Sequence, residues 1–211
     1  MILSHKHKFI FIKLRKTAGT SMEISLSGIC GPEDIITPVS YEDEHLRLDL
    51  GFRGAQNFKN HPGYYNHMPA SEVKANISPE VWNNYFKFCF ERNPWDKTVS
   101  HFFHRNKNKA FTGIMDYLQH DKKDMIKGFD MYSIDGEPVM DKVFKYEEME
   151  AALAEISNTL GLNTSLKLPE YRAKSQFRTD KRHYRELLTK EEALIIAKKY
   201  SREIDLLGYT Y

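Results

Sequence analysis

The sequence predicts an α/β protein with a central, mainly parallel sheet flanked by helices. Two short apolar runs, Phe9–Leu14 and Tyr85–Glu91, have the length of strands that are buried on both faces. Each run leads into a polar turn and then into apolar residues at helical spacing. Because strands that alternate with helices pair in parallel through right-handed crossovers, both turns are expected at the carboxyl edge of one sheet. Ligands of such sheets bind at that edge.

The composition is that of a soluble globular protein, and it excludes several other classes. The 211 residues suit one domain spanning residues 1–211. A formal net charge of +2 gives no general signature of a nucleic-acid partner. The two cysteines, Cys30 and Cys89, form no CxxC pair, and the terminal His5 and His7 are interpreted as solvated, so no metal site is expected. No apolar run approaches the roughly 20 residues of a membrane span.

The first turn is predicted to cradle an anion. The strand Phe9–Leu14 leads into the small, polar and basic stretch Lys16–Ser21. Thr20 and Glu23 fit a capping box, which predicts a helix that begins near Thr20. Free N–H groups and the positive end of that helix would point into the loop beside the charge of Lys16. The same short pattern also fits an ordinary turn with a surface lysine.

This loop differs from the nucleotide-binding P-loop. The P-loop motif GxxxxGK[ST] has its lysine after the second glycine, at the start of the helix. Here Lys16 precedes Gly19, which is the only glycine of the loop. The cradle is therefore predicted to hold a phosphate-like group by a different arrangement.

The region between the two turns gives weaker signals. Residues 31–65 are irregular and rich in Gly, Pro, Asp and Asn, and the alternation of Leu46, Leu48 and Leu50 predicts a short strand there. Two short helices are predicted, at Ala70–Asn76 and Pro79–Asn84.

The second turn carries helix-start signals. After the strand Tyr85–Glu91, Asn93 suits the N-cap, Pro94 the first helical position and Asp96 the positive end of the helix dipole. This helix is predicted to run to about Arg105.

The remaining elements follow from local patterns. They comprise a helix at Ile114–Leu118, a hairpin turning at Asp135-Gly136, a core strand within Val139–Tyr146, an amphipathic helix at Glu148–Leu160, a basic loop at Leu162–Leu188, and a last helix from a capping box at Thr189 and Glu192 to about Ile204.

Two motifs together resemble the sulfotransferase family, and within it the carbohydrate sulfotransferase group. The family carries a loop K-[TS]-[AG]-[GT]-[TS]-[ST] after the first strand and a turn R-[ND]-P-x-[DE]-x-x-x-S. This chain has KTAGTS at Lys16–Ser21 and RNPWDKTVS at Arg92–Ser100, in the same order. Lys145-Tyr146-Glu147 and the tail Tyr200–Tyr209 resemble further family segments, and only residues 28–66 have no match.

The resemblance implies a P-loop-like three-layer fold and a transferase that uses 3′-phosphoadenosine 5′-phosphosulfate (PAPS) without a metal. The first loop would hold the 5′-phosphosulfate, and Lys16 would also stabilise charge during in-line transfer. Arg92 and Ser100 would bind the 3′-phosphate, which suits an arginine fork beside a hydroxyl donor. The predicted cofactor residues are Arg15, Lys16, Thr17, Ala18, Gly19, Thr20, Ser21, Arg92, Ser100 and, from the late basic loop, Arg178.

The acceptor hydroxyl needs a base, and the resemblance favours His67. A histidine suits this task because its unperturbed pKa lies near neutrality. His61, His101 and His104 are weaker alternatives, and Glu91 is a carboxylate alternative. The acceptor is expected to be a carbohydrate or a similar polar molecule. Related Golgi enzymes carry an N-terminal anchor that this sequence does not show, so a cytoplasmic, bacterial enzyme is expected.

Two other functions remain open at this level: a P-loop-like nucleotide kinase and a non-catalytic protein that binds anionic ligands. The basic residues of the late loop could also close over the cofactor, bind an anionic acceptor, or simply face solvent.

Overall fold

The computed structural model describes residues 1–60, 62–120, 128–169 and 179–211. The strands are β1 (Ile2–Ser4), β2 (Phe9–Ile12), β3 (Ile35–Ile36), β4 (Phe86–Glu91), β5 (Ser133–Ile134), β6 (Glu137–Pro138) and β7 (Lys142–Lys145). The helices are α1 (Gly19–Ser27), α2 (Tyr41–Asp49), α3 (Ala70–Ala75), α4 (Pro79–Asn84), α5 (Pro94–Arg105), α6 (Ile114–His120), α7 (Met149–Thr159), α8 (Tyr184–Leu187), α9 (Lys190–Lys199) and α10 (Ser201–Leu207).

A five-stranded sheet with the order β3-β1-β2-β4-β7 forms the centre of the fold. Strand β1 is antiparallel to both of its neighbours, whereas β2 and β4, and β4 and β7, pair in parallel. All strands of this sheet except β1 therefore run in one direction, which confirms the predicted mainly parallel sheet. The predicted hairpin forms a separate two-stranded sheet, β5-β6.

Helices cover both faces of the sheet, as the three-layer prediction requires. Alternate side chains of a strand point to opposite faces, so β2 and β4 each contribute to two apolar cores. One core joins Ile10, Ile12 and Cys89 to Val73 of α3 and Trp82 of α4. The other joins Phe9, Phe11, Phe88 and Phe90 to Met22 and Leu26 of α1 and Ile156 of α7.

A third apolar cluster fixes the direction of α5. Trp95 and Val99 of this helix pack against Ile196 and Tyr200, and the indole N–H of Trp95 donates to the carbonyl of Ala193 over 2.9 Å. Trp82 and Trp95 are thus both buried in apolar clusters.

The predicted strand around Leu46–Leu50 is wrong, because Leu46 and Leu48 belong to helix α2 and Leu50 is its C-cap residue. Ser40 caps this helix by accepting from the N–H of Asp43, and three acidic residues in the first turn suit its positive end. Leu48 and Leu50 remain exposed. The alternation of leucines in the sequence therefore does not mark the buried face of a strand.

The predicted capping box at Thr20 and Glu23 is also wrong. Helix α1 begins at Gly19, and its N-cap residue, Ala18, provides no side-chain cap. Glu23 is instead fully buried, where it pairs with the amine nitrogen of Met1 and with Lys13 Nζ at 2.5 Å. The second predicted capping box, Thr189 and Glu192, is confirmed.

The last helix is divided into two. At Tyr200 the backbone leaves helical geometry with φ −114° and ψ 31°, and α10 continues from Ser201. The Tyr200 ring is buried in the third cluster, so the break accompanies packing of this side chain.

The Glu23 network should contribute strongly to stability. Burial raises the pKa of Glu23, but the charges of the Met1 amine and of Lys13 outweigh burial and lower it to about 2. Replacing one member of a buried pair leaves the partner charge uncompensated, so Glu23→Gln should lower the free energy of unfolding by about 3 kcal/mol. Urea denaturation near pH 7 measures this change.

The matched control is Glu155→Gln, which removes an exposed pair with Lys142 whose nitrogen and oxygen lie 2.8 Å apart. It should change the free energy of unfolding by less than about 1 kcal/mol. Equal effects of the two variants would contradict the assignment of a structural role to Glu23.

Candidate active site

The loop that follows β2 has an unusual backbone. Lys16 and Ala18 both lie in the left-handed region, with φ of 62° and 56°. This conformation is uncommon for residues other than glycine and is found at ligand-binding turns. Left-handed residues in a turn direct neighbouring N–H groups to one side, which creates an anion-binding concavity. The first N–H groups of α1, which lack partners within the helix, lie at the same place.

Gly19 allows α1 to start close to β2. A Cβ atom at this position would lie 2.6 Å from Cγ of Lys13 and 3.2 Å from the carbonyl oxygen of Leu14. Lys13 is held in place by its buried pair with Glu23 and has little freedom to move away. The glycine is therefore needed for close packing and not for a left-handed backbone.

Arg92 ties the second turn to the first loop. Its Nη1 donates to the carbonyl oxygen of Lys16 over 3.0 Å, and its Nε and Nη2 donate to Asp96 Oδ2 over 2.9 and 2.5 Å. The guanidinium also lies 4.4 Å from the ring centroid of Tyr146. Two of its five N–H donors have no partner among the described residues. Arg92 is thus fixed and still able to bind a ligand.

Glu147 fixes the start of α5. Its carboxylate accepts from the backbone N–H of Asn93 over 2.8 Å and from the Tyr209 hydroxyl over 3.0 Å. Asn93 in turn caps α5 by accepting from the N–H groups of Trp95 and Asp96. The predicted cap is confirmed, and Tyr209, which follows α10, is linked to the same turn.

The two turns open on one cleft of about 1060 Å³. Its lining includes most of the predicted site residues: Arg15, Lys16, Ala18, Gly19, Thr20, Ser21, His67, Arg92 and Ser100. Thr17 is not in this lining, because its side chain is buried and its hydroxyl donates to the carbonyl of Leu14 over 3.3 Å. Arg178 and His61 lie outside the described residues.

His67 presents one ring nitrogen for chemistry. It has a left-handed backbone, φ 61°, and its Nδ1 lies 2.9 Å from the carbonyl oxygen of Lys13. Since a carbonyl can only accept, Nδ1 carries the proton and Nε2 of the neutral ring is an acceptor. Burial, and then the nearby charge of Lys13, lowers the pKa of His67 to about 3. In the unliganded protein the ring is therefore neutral near pH 7.

The alternative bases differ in position. His101 and His104, the weaker alternatives, also line the cleft. Glu91 is fully buried, pairs with Lys97 Nζ at 2.6 Å and is not part of the lining. The carboxylate alternative is therefore poorly placed to reach a substrate.

A further part of the cleft lining is mainly apolar. It consists of Met149 and Leu153 of α7 together with the segment 165–169. Ser25 of α1 donates to the carbonyl of Lys167 over 2.7 Å, and Ser157 of α7 accepts from the N–H of Leu166 over 2.9 Å. The segment 165–169 is thus held between two helices.

Sequence reasoning missed this segment and Lys13. The segment has no periodic pattern, and its place depends on hydroxyls of distant helices. Lys13 interrupts an otherwise apolar strand sequence, and that isolated charge was the available signal for a buried partner.

A model of the sulfotransferase family matches residues 1–210. The chain belongs to the sulfotransferase family. The solved structure of the mouse sulfotransferase SULT7A1 complexed with PAP is similar over 96% of this chain and 85% of its own, with a TM-score of 0.53 and 12% identity. That likeness shows a shared fold. An uncharacterised protein of Archaeoglobus fulgidus is 28% identical over 111 residues, which are 47% of this sulfotransferase and 87% of that relative.

Two further observations concern metal-binding groups and membrane-spanning helices. Within the described ranges of this sulfotransferase, no group of three or more His, Cys, Asp and Glu side chains could hold a metal ion. No helix in the same ranges is long and apolar enough to cross a membrane.

Gly19→Ala should disrupt the first loop. The new methyl group would overlap the pinned Lys13 side chain, so we expect a loss of about 1–3 kcal/mol in the free energy of unfolding. Thermal unfolding followed by circular dichroism measures the loss. Gly113→Ala is the matched control, since a Cβ there meets nothing within 4 Å. An unchanged melting temperature for Gly19→Ala would show that the loop packs more loosely than described.

Proposed function

We propose that this protein transfers the sulfuryl group of PAPS to an acceptor hydroxyl, through a single domain spanning residues 1–211. One observation carries the proposal: Arg92 of the second turn bonds to the carbonyl of Lys16 in the first loop, so both motifs face one cleft. Two anion-binding elements at a fixed separation suit a ligand with two anionic ends. Membership of the sulfotransferase family supports the same assignment.

The first loop is proposed to hold the 5′-phosphosulfate. Lys16 provides a full charge, and the backbone from Thr17 to Ser21 provides N–H donors at the start of α1. The hydroxyls of Thr20 and Ser21 border the cleft. A metal is not needed in this arrangement, because Lys16 and the N–H groups supply the positive potential.

Arg92 and Ser100 are proposed to hold the 3′-phosphate. Arg92 keeps two N–H donors for a ligand, and the Ser100 hydroxyl lies on the next turns of α5, at the same cleft. A 5′-nucleotide without a 3′-phosphate would engage only the first loop. The pair would therefore give selectivity toward a 3′-phosphorylated nucleotide.

Transfer requires charge stabilisation and proton removal. PAPS supplies, when bound, a sulfuryl group attached to a phosphate leaving group. Lys16 would stabilise the negative charge that grows on the transferred and bridging oxygens. His67 would accept the proton of the acceptor hydroxyl at Nε2, while its Nδ1–H stays bonded to the carbonyl of Lys13.

A carbohydrate acceptor is supported by a shallow groove beside the His67 loop. The groove has a volume of about 550 Å³ and is lined by Phe58, Tyr64, Tyr65 and Glu72, among others. The Tyr65 ring is 47% exposed, and its hydroxyl donates to Glu72 over 2.7 Å. An exposed ring beside a carboxylate suits the apolar face and the hydroxyls of a sugar.

Nucleotide binding tests whether the two turns hold the two anionic ends of the nucleotide. We expect 3′-phosphoadenosine 5′-phosphate (PAP) to bind more tightly than 5′-AMP or Mg-ATP in calorimetric titrations. Arg92→Ala should weaken PAP binding by roughly 10- to 100-fold, since hydrogen bonds between charged groups contribute about 1.5–3 kcal/mol. AMP binding should weaken less than PAP binding, because AMP has no 3′-phosphate for Arg92 to hold.

Arg202→Ala serves as the control, because it removes an exposed arginine that pairs with Asp130 at 2.8 Å. It should bind PAP as the wild type does. Preference for Mg-ATP would favour a nucleotide kinase, and indifference of PAP binding to Arg92 would refute the assignment of the second turn.

The protonation of His67 should respond to the nucleotide. Its pKa is about 3 in the unliganded protein, after burial and the charge of Lys13. PAP brings negative charge beside these cations, so the pKa of His67 should rise on binding. Nitrogen-detected NMR across a pH series measures the change.

His45, exposed on α2, is the internal reference, and its chemical shifts at fixed pH should not respond to PAP. A His67 ring whose titration ignores PAP would argue against its place beside the transferred group. Such a result would leave the cofactor assignment standing while removing the base.

A further inference from the structure

Glu91 is the carboxylate that sequence reasoning considered as a base, and its position indicates a different role. It ends β4 directly before Arg92, is fully buried, and does not line the cleft. Its partner Lys97 lies on α5, is 2% exposed and does not line the cleft either. Neither side chain therefore contacts a ligand bound in the cleft, and any effect on binding must act through a neighbouring residue.

One oxygen of Glu91 connects the two ends of the second turn. Its Oε1 accepts from the backbone N–H of Arg92 over 2.9 Å and from Lys97 Nζ over 2.6 Å. The ion pair therefore joins the end of β4 to α5 across residues 92–96. The other oxygen is closely packed, because a Cβ atom at Gly128 would lie 3.2 Å from Oε2. The carboxylate is thus held in one position behind the turn.

The first two backbone N–H groups of this turn are used within the protein. The N–H of Arg92 donates to Glu91, and the N–H of Asn93 donates to Glu147 over 2.8 Å. At the start of α1, by contrast, the N–H groups belong to residues that line the cleft. A 3′-phosphate at the second turn would therefore bind to side chains, those of Arg92 and Ser100. Its affinity then depends on how well the turn positions the guanidinium.

Stability does not explain the pair of Glu91 and Lys97. A buried ion pair gains little net free energy, because the loss of hydration offsets the attraction of the charges. Burial raises the pKa of Glu91 by more than the Lys97 ammonium lowers it. Within the described ranges, Glu91 Oε2 and the buried hydroxyl of Tyr132 also lack hydrogen-bond partners. Two apolar side chains would fill the same space without these costs.

We propose that Glu91 and Lys97 are positioning residues that hold Arg92 in place for the 3′-phosphate, and thereby set the preference of the protein for 3′-phosphorylated nucleotides. The carboxylate fixes the backbone N–H of Arg92, while Lys16 and Asp96 fix its guanidinium. The arginine is thus held at both of its ends. The inference rests on the proposed function, and it makes two residues outside the cleft determinants of nucleotide selectivity.

The test compares the affinities for PAP and 5′-AMP in calorimetric titrations of the full chain, with AMP measured by competition against PAP. The first double variant combines Glu91→Leu with Lys97→Met, which removes the acceptor of the Arg92 N–H and leaves no unpaired charge. It should fold as the wild type does, but its PAP affinity should fall by about 10-fold, since a donor of the turn loses its partner. AMP affinity should fall less, because AMP has no 3′-phosphate.

Two more variants separate the hydrogen bond from the charge. The second double variant, Glu91→Gln with Lys97→Met, is equally neutral, but its amide oxygen can still accept from the Arg92 N–H. It should recover the PAP preference of the wild type. Glu91→Asp keeps both charges, but the shorter side chain reaches this N–H poorly. Its PAP preference should fall several-fold.

Val73→Ala is the control for a loss of stability alone. It shortens a fully buried side chain of α3 that does not line the cleft. It should lower the melting temperature. Its ratio of PAP to AMP affinity should equal that of the wild type.

Each possible failure gives its own result. A wild-type ratio in the folded first double variant would overturn the inference and leave the proposed function intact, as would equal losses of PAP and AMP affinity. A second double variant that does not recover the preference would also overturn it. If the first double variant does not fold, a wild-type ratio in Glu91→Asp has the same meaning. Failure of the wild type to prefer PAP over AMP would overturn the proposed function, and this inference with it.

Discussion

The site depends on the guanidinium of Arg92. This group stands at the end of β4, bonds across to the carbonyl of Lys16 after β2, and rests on the ring of Tyr146 after β7. Three parallel neighbours in the sheet are thus joined at their carboxyl ends by one side chain. Asp96 fixes the same guanidinium from the first turn of α5. The relative position of the two ligand-binding turns follows from these contacts.

Two buried carboxylates beneath the ligand-binding turns are each paired with a lysine. Glu23 is neutralised beneath the first loop by Lys13, and Glu91 is neutralised beneath the second turn by Lys97. Both carboxylates lie outside the cleft lining. The cleft lining itself includes the cations Arg15, Lys16 and Arg92 together with the carboxylates of Glu147 and Glu150.

The parts of the fold that sequence reasoning found are those with a strong local signal. Apolar runs predicted β2 and β4, and with them the edge of the sheet at which both turns lie. The cap at Asn93 predicted the start of α5. The spacing of apolar residues could not predict β1, because this strand has only three residues and is held in the sheet by pairing with β2 and β3. Helix α2 was missed because two exposed leucines imitated a strand pattern.

The site was predicted to a similar extent. Motif residues such as Lys16 and Ser100 were found, since each lies within a recognisable run of residues. Thr17 was included although its side chain turns inward, because a run does not show which side chains face the ligand. Contacts between distant segments, such as Glu147 with Asn93, carry no local signal at all.

The links between distant segments also bear on how the protein folds. The first loop depends on a residue far along the chain, since Arg92 is 76 positions later than Lys16, and Glu147 is 54 positions beyond Asn93. The left-handed turns at Lys16 and Ala18 lack these supports until β4 and β7 have joined the sheet. Non-local strand pairing of this kind slows folding. The cleft is therefore complete only once β2, β4 and β7 have paired.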